Sequence, residues 1–127
     1  MLGLLTLVNL AMYPVIPQTI KVPSPHYHHD LLPNVDMART WGELSHPMAT
    51  NALGFEDRTV REVPMKTDKV RILFIGDSFT EGLGYSFDET FVGRFAAGLD
   101  PARYEVLNAS ASSYSPKLYY HKVRHLI

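Results

Sequence analysis

The pattern of apolar and polar positions changes character twice along the chain. Residues 1–20 carry no Asp, Glu, Lys or Arg, and the run MLGLLTLVNLAMYPVI is mostly apolar. A membrane-spanning helix needs about 20 apolar residues. This run ends at Pro17 and contains Thr6, Asn9 and Pro14. Three readings stay open for residues 1–22: a membrane anchor, a cleaved secretory signal, or a buried core helix. The anchor leads, because the cationic start and small-residue cleavage site of a secretory signal are missing. The chain is accordingly expected to be membrane-anchored or extracytoplasmic. Lys21 is the one nearby cation, too little to set an orientation.

From residue 23 to 69 no apolar period persists. Pro23, Pro25, Pro33, Pro47 and Pro64 punctuate the stretch. Proline fixes φ and removes a backbone donor, so long helices are excluded. The expectation is an irregular, linker-like segment holding one or two short strands, with Asn51–Phe55 forming a turn into an extended piece. His26, His28, His29 and Asp30 are residue types that bind zinc. Their spacing matches no closed site, and the segment reads as an exposed polar loop. Glu43 and His46 stand at i and i+3, a spacing too common to carry weight.

From residue 70 to 127 the pattern is β-loop-α-β-loop-α. Val70–Ile75 (VRILFI) reads as a buried parallel strand. Gly76-Asp77-Ser78 breaks it. Ser86 and Glu89 fit a capping box opening a helix over 87–99, with Phe87, Phe91, Phe95 and Leu99 as its stripe. Asp100-Pro101 stops it. Tyr104–Leu107 reads as a second strand, and Asn108–Tyr114 as a loop of small polar residues. Ser115-Pro116 starts a helix whose face holds Leu118, Tyr119, Val123, Leu126 and Ile127. A right-handed crossover makes the two strands parallel neighbours. Both loops then open at the strands' carboxyl ends, where open α/β sheets bind ligands.

Composition narrows the function classes. Twelve Lys and Arg against thirteen Asp and Glu leave a net charge of −1, and no basic footprint for nucleic acid appears. Hydrophobic residues make up 46%, which excludes intrinsic disorder. There is no cysteine, so disulfides, thiolate metal sites and cysteine nucleophiles are excluded. The 76–82 loop lacks both phosphate-binding glycine patterns, Gly-x-x-x-x-Gly-Lys and Gly-x-Gly-x-x-Gly.

The chemistry-bearing residues therefore sit on two loops, 76–82 and 108–114. Ser78 directly follows a buried strand, and backbone N–H groups around such a turn can stabilise an oxyanion. Serine needs an adjacent base to act as a nucleophile. Ile72–Gly82 (ILFIGDSFTEG) resembles the first block of the SGNH/GDSL hydrolases, whose signature is an apolar strand ending in Gly-Asp-Ser. Asn51–Asp57 is similar to the Asn-x-x-Gly-Phe-Arg-Asp segment of some members. Val106–Ser113 matches the second block in register. The resemblance covers roughly residues 50–127.

That resemblance implies a three-layer α/β/α fold, flavodoxin-like in outline, here incomplete. It implies ester hydrolysis or acyl transfer through a serine acyl-enzyme, on a small-molecule, carbohydrate or lipid ester and without a cofactor or metal. Ser78 matches the nucleophile, and its backbone N–H one oxyanion donor. Ser113 stands where the family has its oxyanion glycine, and would serve through its own backbone N–H. Asp77 would shape the loop. The family's later Asn donor and its Asp-x-x-His have no counterpart: Asn108 belongs to the second block, and His121 and His125 read as structural or solvated helix residues. A sheet of two strands also leaves helix faces uncovered. The chain is thus expected to be the N-terminal part of a longer esterase or acyltransferase, inactive by itself. The alternative is a non-catalytic binding protein with a degenerate version of the fold, its exposed strand edges suited to a partner.

Overall fold

The computed structural model describes residues 20–127, and the apolar segment expected to anchor the chain lies almost wholly outside them. Among the described residues no helix is long and apolar enough to cross a membrane. The class is mixed α/β. Among the described residues seven strands form two sheets: β1 (Lys21–Ser24), β2 (His28–Leu31), β3 (Asp36–Trp41), β4 (Leu44–Thr50), β5 (Glu56–Asp57), β6 (Val70–Phe74) and β7 (Tyr104–Asn108). Three helices accompany them: α1 (Ser78–Glu81), α2 (Phe91–Ala97) and α3 (Pro116–Leu126).

The segment expected to be an irregular linker is instead largely extended. β1 and β2 form an antiparallel hairpin. β3, β4 and β5 join the larger sheet in the order β3-β4-β5-β7-β6. Proline does not prevent this: Pro23 lies on a two-stranded hairpin, and Pro47, opposite Ala38 of β3, stands short of the β4–β5 pairing at Ala49 and Thr50, where no partner on that side needs its N–H. The two-residue turn Gly42-Glu43 links β3 to β4, with Gly42 at φ +60°, a conformation that glycine adopts freely. The parallel pair β6–β7 is as expected, with Phe74 opposite Asn108. It is not an isolated pair, because Glu56 of β5 sits opposite Asn108 and covers the other edge of β7.

Register sorts the side chains onto two faces. Arg39 faces His46, Thr50 faces Glu56, and Glu56 faces Asn108, so these share the face that carries Phe74. The Phe91 and Phe95 rings of α2 pack edge-on against Phe74 there, at 5.9 and 5.3 Å. Leu73 and Leu107 point the opposite way and pack with Phe55, Val63, Ala109 and Leu126 of α3. Helices thus lie on both faces of the sheet. The hairpin β1–β2 joins through a second cluster, where Ile20 and Leu31 meet Met48, Ala111 and Tyr114. Burying side chains such as Leu31 and Phe55 stabilises by roughly 1.5–3 kcal/mol each.

Two helices depart from expectation. The Ser86–Glu89 capping box is present, but it opens a 3-10 turn, Phe87–Glu89. Thr90 then caps α2 by accepting from Gly93 N–H. Gly93 explains the break, since a Cβ there would collide with the Phe87 carbonyl. On α3, the centre of the buried face is Lys122 rather than an aliphatic residue, and Ile127 is exposed. The polar-loop expectation for 26–30 also fails. His28–Leu31 is strand β2, and His29 and Asp30 are buried.

Candidate functional site

The loop after β6 is shaped by its own residues. A Cβ on Gly76 would overlap the Thr80 side chain, so only glycine lets the chain turn this tightly. Asp77 caps α1, its Oδ1 accepting from Phe79 N–H at 3.1 Å. Ser78 is the first residue of α1 and is half-buried. Gly82, at φ +86°, closes the turn by donating to the Ser78 carbonyl at 3.0 Å. Asp77 therefore has the loop-shaping role expected of it. Phe79, beside the serine, is exposed.

The loop after β7 is bound to the first. Ala109 N–H donates to the Phe74 carbonyl at 2.8 Å, and Ala111 N–H to the Gly76 carbonyl at 3.3 Å. Asn108 Nδ2 donates to the Thr80 carbonyl at 2.9 Å, while its Oδ1 accepts from Ser110 N–H. Ser113, the position matched to a glycine, has φ +74° and is exposed. It thus holds the left-handed conformation that favours glycine. Tyr119 of α3 also borders this edge. Its phenol is raised, first by burial and then by the Asp77 charge.

A buried charged layer that sequence reasoning missed lies beneath these loops. Glu81, fully buried, accepts from Arg39 Nη1 at 2.5 Å and from Ser112 N–H. Glu56 lies near it. Burial, then the Glu81 charge, pushes the Glu56 carboxyl up to about 8 against the opposing pull of Arg39. His46 is lowered by burial and then by Arg39. His46 Nδ1, Glu56 Oε1 and Ser110 Oγ are buried without a hydrogen-bond partner among the described residues. Glu81 stands inside the Gly-Asp-Ser block and its acidity was visible there. Arg39 and Glu56 gave no signal, because their meeting depends on strand register.

The histidines are not brought to Ser78 by any hydrogen bond among the described residues. His29 Nε2 sits 3.0 Å from the Ser112 carbonyl, and its Nδ1 lies 2.7 Å from His28 Nδ1. His121 and His125 are exposed on α3, as expected, with His125 stacked on His26. No group of three or more His, Cys, Asp or Glu among the described residues is arranged to hold a metal. A cavity of about 210 Å³ lies elsewhere, between Asp36, Met48, Asp57, Arg58 and Phe87, and includes neither Ser78 nor Ser113. Compared with known proteins, the chain matches no family model, no curated protein and no solved structure.

Proposed function

We propose that Ser78 is the nucleophile of an SGNH-type serine acyl site, acting on an ester by hydrolysis or acyl transfer, on a three-layer α/β/α fold. One observation carries the reading: the positive φ of Ser113 at the position matched to the oxyanion glycine. It sits on a loop hydrogen-bonded to the Gly76–Thr80 turn. A serine pays a conformational penalty of roughly 1–2 kcal/mol for that geometry. A backbone N–H needed in a set direction would account for that cost.

In this reading Ser78 Oγ attacks the ester carbonyl, and the Ser78 and Ser113 N–H groups receive the developing oxyanion. The alcohol leaves, and the acyl group passes to water or to a second alcohol. The proton of Ser78 passes to a general base, which no hydrogen bond among the described residues assigns. Ester substrate chemistry needs no cofactor. Attachment to a membrane through residues 1–20 would place the site at a membrane surface.

A serine-directed fluorophosphonate tests the reading. It should label Ser78 selectively, since donors and positioning by themselves leave a residual ~10³-fold acceleration. Labelling spread over exposed serines, or unchanged in Ser78→Ala, would contradict it. The second reading, a non-catalytic binding protein, is favoured by the lack, among the described residues, of a histidine bonded to Ser78, and selective labelling would exclude it.

A further inference from the structure

We infer that Glu81 is a positioning residue for this site, holding the Ala111–Ser112 peptide and with it the place of the loop that carries the Ser113 N–H. The inference rests on the serine-acyl reading and adds to it a residue that the resemblance does not assign.

Glu81 stands three residues after Ser78, in the same helical turn, with its carboxylate fully buried. A carboxylate out of water needs donors for its oxygens. One comes from Arg39 of β3 at 2.5 Å, the other from the Ser112 backbone N–H. The nucleophile's own helix therefore grips the loop one residue before Ser113. A charge-assisted bond of this kind is roughly twice as strong as a neutral one.

The next peptide is gripped from the other side. The Ser112 carbonyl accepts from Lys21 Nζ at 2.9 Å and faces His29 Nε2 at 3.0 Å. The N–H of a trans peptide points opposite to its C=O. Fixing the Ser112 carbonyl toward Lys21 and His29 thus aims the Ser113 N–H away from them. Glu81 fixes the preceding N–H, so the segment cannot swivel as a unit. Ser112 is buried while Ser113 is exposed, which places the anchored atoms inside and the free N–H at the surface. Thr80, held by Asn108 through its carbonyl, completes the link between the two loops.

Glu81→Gln separates positioning from bulk. The amide has one acceptor oxygen where the carboxylate has two. Either Arg39 or the Ser112 N–H loses its partner, at unchanged volume. The measurement is the rate of fluorophosphonate labelling at Ser78 on protein shown by circular dichroism to be folded, with amide exchange at Ser112 and Ser113 read in parallel. Removing an oxyanion donor outright lowers rates about 10²–10³-fold, so misaiming one should slow labelling about tenfold or more. Exchange at Ser112 should accelerate at the same time. A purely structural Glu81 would lower the unfolding midpoint and leave the rate on folded protein unchanged, which would overturn the inference. Should Glu81→Gln fail to fold, Glu81→Asp decides, since it keeps the charge but draws the carboxylate back from the Ser112 N–H: a slower rate on folded protein supports the inference and an equal rate overturns it. Absence of selective labelling in the unaltered chain would be a different failure, that of the serine-acyl reading itself.

Discussion

Lys122 Nζ lies 2.8 Å from Asp30 Oδ1, and this pair joins the last helix to the N-terminal hairpin inside the protein. The lysine is fully buried, with the Phe55, Tyr114 and Tyr27 rings at 4.8, 5.1 and 5.4 Å from its ammonium. Tyr27 donates to Asp30 Oδ2 at 2.6 Å, and Leu31 N–H to Oδ1 at 2.9 Å. Burial lowers the Lys122 ammonium, and Asp30 opposes that shift. Burial and then Asp30 hold the Tyr114 phenol far above its ordinary value.

Removing one member leaves a buried charge without its partner. Lys122→Met should therefore destabilise by about 3–5 kcal/mol. Adding Asp30→Asn to it should recover a large part of the loss, because a neutral amide needs no counter-charge. Urea unfolding of the four proteins of this cycle measures the coupling. Additive losses would show that the two groups act independently.

Glu56 makes stability depend on pH. In the unfolded chain its carboxyl titrates near 4.5, and in the fold at about 8. The folded state thus binds more protons across that window, and stability is lost as pH rises through it. The curve should fall from pH 5 toward pH 8 and flatten above. Glu56→Gln should remove much of the slope and gain on the order of a few kcal/mol at pH 8. Chemical unfolding between pH 5 and 9 checks this, and a variant that keeps the full slope would assign it elsewhere.

Gly54 is held by its surroundings on two counts. Its φ is +73°, and a Cβ there would strike the Leu31 carbonyl. The turn is closed by Asn51 Oδ1, which accepts from Leu53 and Phe55 N–H. Gly54→Ala should cost more than the ~1–2 kcal/mol of the left-handed conformation alone, because the hairpin strand β2 must also move. Thermal unfolding measures the loss, and a shift below about 2 °C, well short of what 1 kcal/mol produces in a domain of this size, would contradict the close approach.

Ser113 acts through its backbone in the proposed site. Ser113→Gly should preserve Ser78 labelling within about twofold, since glycine takes positive φ freely. Ser113→Pro removes the N–H and cannot adopt positive φ, so labelling should fall at least ~10²-fold. Mass spectrometry of labelled peptides, on variants shown to be folded, distinguishes the two. Loss of labelling in Ser113→Gly would place the function in the hydroxyl instead.

How much of this was legible in the sequence depends on distance along the chain. The strands over 70–75 and 104–107 and the turns after them follow from local pattern, and the structure has them. The capping box was also local, yet Gly93 against Phe87 shortened the helix it was expected to start. The strands at 21–57 were missed because short strands with Pro23 and Pro47 show no sustained alternation. They form through pairing partners far away, Glu56 with Asn108 among them. Lys122 was passed over because a helical stripe ranks residues by type. Its burial depends on Asp30, 92 residues away. Glu81 was quoted as part of a motif, but its role needed Arg39 and Ser112 in space.

The most direct test of the account is the structure of the Ser78–phosphonate adduct, with the phosphoryl oxygen standing where an oxyanion would form. The account predicts that oxygen within about 2.7–3.1 Å of both the Ser78 and Ser113 backbone nitrogens. An adduct whose phosphoryl oxygen faces solvent, with Ser113 N–H turned elsewhere, would contradict it.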